Sequence, residues 1–137
     1  MESETERFIQ EYLRGEGNNA ALADGLLLER RRYFGPVGWK VSTLERCCGP
    51  EPGMKYRTLP GDFEERVAGI MRRCAAGWDM PPLIVQYENG VLTVSDGNHR
   101  LEAFARMRKE KIPVIFWMTE GGDYEGFVHS LTRAPPA

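Results

Sequence analysis

Six consecutive residues, Ser95-Asp96-Gly97-Asn98-His99-Arg100, put an acid, a turn glycine, an amide, an imidazole and a guanidinium side by side. A short apolar stretch, Leu92 and Val94, precedes them, and Leu101, Phe104 and Ala105 follow at helical spacing. The pattern predicts a strand, a tight turn at Asp96-Gly97, and a helix whose first turn carries His99 and Arg100. The first N–H groups of a helix have no partner within it and present a partial positive charge. A basic pair there has the wrong sign for the helix, so an anion is expected close by. A glycine turn with an imidazole and a guanidinium at a helix N-terminus is suited to cradling phosphate.

Each residue of the turn has a structural reading beside its chemical one. Gly97 supplies a positive φ and lets the backbone approach a ligand closely. Asp96 is expected to cap the helix, and its carboxylate is also the candidate ligand for magnesium or the partner that orients His99. Asn98 is a second candidate cap. His99 can give one hydrogen bond or carry a proton, and the Arg100 fork can hold two phosphate oxygens. His129 falls on a separate helix and is read as a surface or packing residue.

Several elements must position this turn. Phe8, Ile9, Tyr12 and Leu13 predict a helix from Ser3 to Arg14, with Ser3 and Glu6 as a capping box. A second helix is expected from Asn19 to Arg32, its Arg30-Arg31-Arg32 end matching the negative pole of the helix dipole. Tyr33 to Gly38 reads as a break, and Trp39-Lys40-Val41 as a first short strand. Cys47 to Met54 is rich in Gly and Pro and is expected to be an ordered loop. Phe63, Val67, Ile70, Met71 and Cys74 mark an amphipathic helix between Pro60 and Gly77. Leu83 to Val85 and Val91 to Val94 form a hairpin across Asn89-Gly90. A helix from Asn98 to Lys109, a strand from Ile112 to Met118, a last helix through Tyr124, Phe127 and Leu131, and a loose tail complete the chain.

The 137 residues are 42% hydrophobic and 28% charged, which is the composition of one globular domain. A formal net charge of −2 argues against a surface devoted to nucleic acid. The three cysteines, Cys47, Cys48 and Cys74, lack metal-site spacing. Neither a signal peptide nor an apolar run long enough to span a membrane is visible, so a cytoplasmic, reducing location is expected.

Pro81-Pro82-Leu83-Ile84-Val85, Asn89-Gly90, Ser95 to Arg100, Glu102-Ala103 and Ile112-Pro113-Val114-Ile115 together resemble the ParB N-terminal and sulfiredoxin-like superfamily. The resemblance runs from about 81 to 117, is weaker from 39 to 77, and leaves out the first 34 residues. It implies an α+β fold, a small mixed β-sheet packed with helices, as a domain over 35–137 with an N-terminal helical extension over 1–34. It also implies that Gly97, Asn98, His99 and Arg100 bind the phosphates of ATP or another nucleotide together with Mg²⁺. Members differ in chemistry: partition proteins bind and hydrolyse CTP, sulfiredoxins use ATP, some relatives phosphorylate free serine, and others are linked to nuclease or ADP-ribosyl transfer activity. Fold alone does not choose among these.

Asn98 stands where sulfiredoxins carry their reactive cysteine, and an amide has no nucleophilic thiolate. Leu101-Glu102 replaces the arginine-rich continuation of partition proteins, and no helix-turn-helix domain is expected downstream. By analogy with the serine-kinase relatives, Glu51 is the candidate general base beside His99. The leading expectation is therefore a nucleotide-binding domain that transfers phosphate from ATP or ADP to a small hydroxyl compound. A nucleotide-dependent module that binds a partner is the alternative, followed by a DNA-binding or nuclease domain.

Overall fold

The structure is a computed structural model that describes residues 3–133. Its centre is a mixed five-stranded sheet in the order β1-β7-β5-β6-β2. The strands are β1 (Arg31–Lys40), β2 (Glu45–Arg46), β5 (Leu83–Glu88), β6 (Val91–Asp96) and β7 (Lys111–Thr119). A separate parallel pair joins β3 (Cys48–Gly49) to β4 (Tyr56–Arg57). The helices are α1 (Glu4–Arg14), α2 (Ala20–Leu26), α3 (Pro60–Ala75), α4 (Asn98–Arg106) and α5 (Gly122–Arg133). This is the expected α+β architecture.

The two central strands are buried on both faces, and their alternation sorts the core into layers. Leu83, Val85, Val114, Phe116 and Met118 point to one side, where Leu101 of α4 and Phe127 of α5 meet them. Ile84, Ile115 and Trp117 point to the other and are covered by Ile9 and Leu13 of α1 and Ala23 and Leu26 of α2. A smaller cluster of Phe63, Val67 and Ala103 joins α3 to α4. The two N-terminal helices thus form a full layer of the core.

Local signals placed several elements well. The Ser3 hydroxyl accepts from the Glu6 N–H at 3.1 Å and starts α1. Pro60 occupies the first turn of α3, where its missing N–H costs nothing. Asn89 and Gly90 both have positive φ, 50° and 80°, as a two-residue hairpin turn requires.

The stretch from Leu27 to Lys40 differs from expectation. The second helix does not reach Arg32: it stops at Leu26, and Leu27 and Leu28 are exposed. The first strand is not confined to Trp39-Lys40-Val41; it begins at Arg31 and runs antiparallel to β7, with a shift of register between Phe34 and Val37 at the Gly35-Pro36 step. Arg31 still serves the C-terminus of α2, but from the strand. Its Nη2 donates to the Gly25 carbonyl at 3.1 Å and its Nε to the Leu26 carbonyl at 3.3 Å, while its guanidinium lies over Trp117. Arg32 pairs instead with Glu120. The long-range partner β7 overrides the local helical preference of this segment.

Candidate functional site

β6 runs to Asp96, Gly97 turns the chain at φ 109°, ψ 22°, and α4 starts at Asn98. The left-handed backbone explains the glycine. A Cβ at Gly97 would also meet Leu83 Cγ at 2.8 Å and Arg100 Nη2 at 2.9 Å, so the turn has no room for a side chain. No side chain caps the N-terminus of α4. Both expected caps are employed elsewhere.

Asp96 does not cap. Its Oδ1 accepts from Asn19 Nδ2 at 3.1 Å and its Oδ2 from Arg100 Nη2 at 3.0 Å. Asn98 is buried and acts as a clamp: its Oδ1 accepts from the Cys47 N–H at 2.8 Å and the Cys48 N–H at 3.3 Å, and its Nδ2 donates to the Val94 carbonyl at 3.2 Å. It therefore fixes the loop after β2 to the end of β6. Arg100 is 6% exposed, and its Nη1 donates to the carbonyls of Pro81 at 2.5 Å and Pro82 at 3.3 Å. The anion that the basic helix start called for is thus supplied within the chain by Asp96, and the Arg100 fork is spent on protein acceptors. For Asn98 and Arg100 the geometry is that of scaffold residues.

His99 is different. Its Nε2 is buried without a protein hydrogen-bond partner, and its ring leans on Phe63 with centroids 5.1 Å apart. Burial, then the charges of Arg66 and Arg46, lower its pKa to about 4. At neutral pH His99 is an uncharged hydrogen-bonding group. Because the folded pKa lies below the ordinary value near 6.5, its contribution to stability is complete above 6.5, declines as pH falls toward 4, and levels off below that. The expected result of an NMR titration is a His99 ring midpoint near 4; a midpoint at or above 6.5 would contradict the desolvated environment.

Glu51 is engaged by Arg46. Its Oε1 accepts from Arg46 Nη2 at 2.7 Å, a contact that lowers its pKa, and it does not line the cleft described next. Arg46 also approaches Glu102 at 3.4 Å, and Glu102 accepts from Arg106, which in turn donates to both oxygens of Glu64. This ionic chain ties the loop after β2 to α4 and α3.

Gly97, Asn98, His99 and Arg100 line one wall of an open cleft of about 1270 Å³. The other walls come from residues for which no site role was expected. α3 contributes Arg66, Gly69, Ile70 and Arg73, positions i, i+3, i+4 and i+7 on one helical face, together with Arg72. Lys55 and Tyr56 approach from the β3–β4 connection, and Tyr12, Glu16, Asn18 and Asn19 from the first two helices. Five cationic side chains (Lys55, Arg66, Arg72, Arg73, Arg100) face two carboxylates (Glu16, Asp96). Once the Arg100–Asp96 pair is set aside, four cations face one carboxylate. Among the described residues none of these four is in an ion pair. Arg73 lies over the Trp78 ring at 3.6 Å. The available signal was Gly69, a helix-weakening residue in mid-helix, set between arginines on one face.

The chain is similar in structure to several solved proteins. Sulfiredoxin from Arabidopsis thaliana matches 69% of this chain and 94% of its own at 22% identity, with a TM-score of 0.43. The C-terminally truncated chromosome-partitioning protein ParB from Caulobacter crescentus, complexed with CTP-gamma-S, matches 75% of this chain and 56% of its own at 19% identity, also at 0.43. A Pnob8-like ParB-N domain matches 79% and 41% at 10% identity, again at 0.43. No protein-family model and no curated relative matches the sequence. What the cleft holds follows from its own side chains.

No helix among the described residues is long and apolar enough to cross a membrane. Nor do three or more His, Cys, Asp or Glu side chains gather there in a metal-binding group.

Proposed function

We propose that the cleft binds a nucleotide through its phosphates. The observation that carries this is the surplus of four unpaired cations over one carboxylate around an uncapped helix N-terminus. The three arginines of α3 and Lys55 supply charge, and the α4 N-terminus supplies directed N–H groups. Tyr56, 58% exposed, offers aromatic surface for a base, while one face of Trp78 is covered by Arg73. Gly97 and His99 keep the phosphate-binding role expected of them, Gly97 through its backbone and His99 as a neutral hydrogen-bonding group. Asn98 and Arg100 support the turn from behind.

A magnesium ion would fit this site as a companion of the phosphates. Asp96 is the carboxylate beside the turn, but Arg100 already balances its charge, so the phosphate oxygens would supply most of the ligands. Phosphoryl transfer to a small hydroxyl compound is the activity we attach to the site, with His99 as the ring that faces the ligand. Glu51 is assigned the positioning of Arg46 in place of the base role expected from the sequence.

Calorimetric titration of ATP, CTP and inorganic tripolyphosphate tests the reading. Wild type should bind, and Arg66→Ala with Arg73→Ala should weaken binding about 30-fold or more, since each of the two hydrogen bonds lost is worth about 1 kcal/mol at an exposed site. Raising the salt should weaken binding as well, because the arginines are exposed. Absence of binding by wild type, or equal binding by the double variant, would overturn the proposal.

A further inference from the structure

The main cleft has two unlike ends. Around the turn its side chains are cationic, but the other end lies on the sheet face beside α2 and is built of uncharged residues. Gln86, Thr93, Ser95 and Trp117 line its floor, and Leu22 and Gly25 of α2 its wall. Three of the floor residues form a row across adjacent strands. Gln86 of β5 is paired with Thr93 of β6 on one side and with Trp117 of β7 on the other, so all three project from the same face of the sheet. Ser95, two residues beyond Thr93 on β6, shares that face.

Two of these side chains are engaged with each other: Trp117 Nε1 donates to Ser95 Oγ at 2.9 Å. Gln86 and Thr93 differ. Both are half-buried, and among the described residues neither side chain has a hydrogen-bond partner. Directly opposed residues of an antiparallel pair have Cβ atoms about 5 Å apart. The Gln86 amide offers a donor and an acceptor, and the Thr93 hydroxyl can act as either, so the two can engage one flat ligand together. The wall leaves room for it, because a Cβ on Gly25 would meet no atom within 4 Å.

We infer that this floor reads the edge of an uncharged heterocyclic base, with the Gln86 amide and the Thr93 hydroxyl as the specificity-determining groups. The inference rests on the nucleotide reading, which it extends from the phosphates to the base. Thr93 lies four residues before Gly97, which at a rise of about 3.3 Å per residue is roughly 13 Å along the strand. A ribose and its phosphate chain bridge such a gap. Charge sorts the two ends: the arginines of α3 attract the phosphates, whereas the floor offers neutral donors and acceptors that suit a base. Stacking on aromatic surface uses the faces of a base and leaves its edge to these groups. Because α2 forms the wall, the first two helices shape the site as well as the core.

The test compares ATP, CTP and inorganic tripolyphosphate by calorimetry in wild type, Gln86→Met and Thr93→Val. Both substitutions keep the shape of the side chain and remove its hydrogen-bonding groups. At least one nucleotide should bind wild type about ten-fold or more tighter than tripolyphosphate, and each variant should weaken that nucleotide about five-fold or more, the effect of one lost hydrogen bond. Tripolyphosphate affinity should stay unchanged, which also shows that the variants are folded. Equal affinity of wild type for all three compounds, equal nucleotide affinity in wild type and both variants, or a parallel loss of tripolyphosphate in both variants would overturn the base subsite. The first two of these outcomes would leave the phosphate site standing. Adenosine and cytidine, titrated into the isotope-labelled full chain by NMR, separate the two readings. Saturable shifts of the Gln86 side-chain amide that weaken in Thr93→Val, without any binding of tripolyphosphate, would support the base subsite and overturn the phosphate reading.

Discussion

Replacing Arg100 by alanine is expected to cost about 3 kcal/mol of folding stability, the range for removing one partner of a buried ion pair. The side chains of Arg100 and Asp96 are 7% and 13% exposed, and the loss strands the Asp96 carboxylate together with the Pro81 and Pro82 carbonyls. Arg100→Lys should recover little, because a single ammonium cannot span the Pro81 carbonyl on one side and Asp96 on the other as the planar fork does. Urea denaturation of the three proteins is the measurement. If Arg100→Ala were as stable as wild type but bound nucleotide far more weakly, Arg100 would be a ligand residue and the scaffold assignment would be wrong. The consequence for binding studies is direct: the informative variants are those of α3, whose arginines are exposed and unpaired.

The second large effect is expected at Asn98. Asn98→Ala removes the acceptor shared by the Cys47 and Cys48 N–H groups and the donor to the Val94 carbonyl. Each buried group left unmatched costs about 1–3 kcal/mol, and because water can reach part of the loop the net loss should be about 3 kcal/mol. Hydrogen exchange gives a local readout. The Cys47 and Cys48 amides should lose protection in the variant while amides of α1 keep theirs. Unchanged protection at both cysteines, with a stability loss below about 1 kcal/mol, would show that the clamp is unimportant. The chemistry of Asn98 here is that of a backbone mimic that pairs with two N–H groups and one carbonyl.

What was legible in the sequence was local. Ser3 at a helix start, Pro60 in the first turn of α3, Asn89-Gly90 in the hairpin and Gly97 in the left-handed turn each follow from the conformational demands of a few adjacent residues. The apolar runs of β5 and β7 announced a buried centre for the same reason. The helical stripe of α3 was also visible, but nothing local shows that its arginine face looks across a cleft.

The misreadings share one physical cause: the partner lies far along the chain. Arg31 to Lys40 forms a strand because β7, about 80 residues later, supplies its hydrogen bonds. The charge of His99 was open in the sequence, and only the packing of Phe63 with the nearness of Arg66 and Arg46 makes the ring neutral. The turn from Ser95 to Arg100 was found from its residue types, yet those types fit a scaffold and a ligand site equally well. By itself the sequence determined the turn, the helix start and the alternation of the central strands, because these depend on neighbours within a few residues. Tertiary structure alone decided that Asp96 and two proline carbonyls absorb Arg100 while Arg66, Arg72 and Arg73 stay unpaired, because side-chain pairing depends on which distant segments the sheet brings within hydrogen-bond reach.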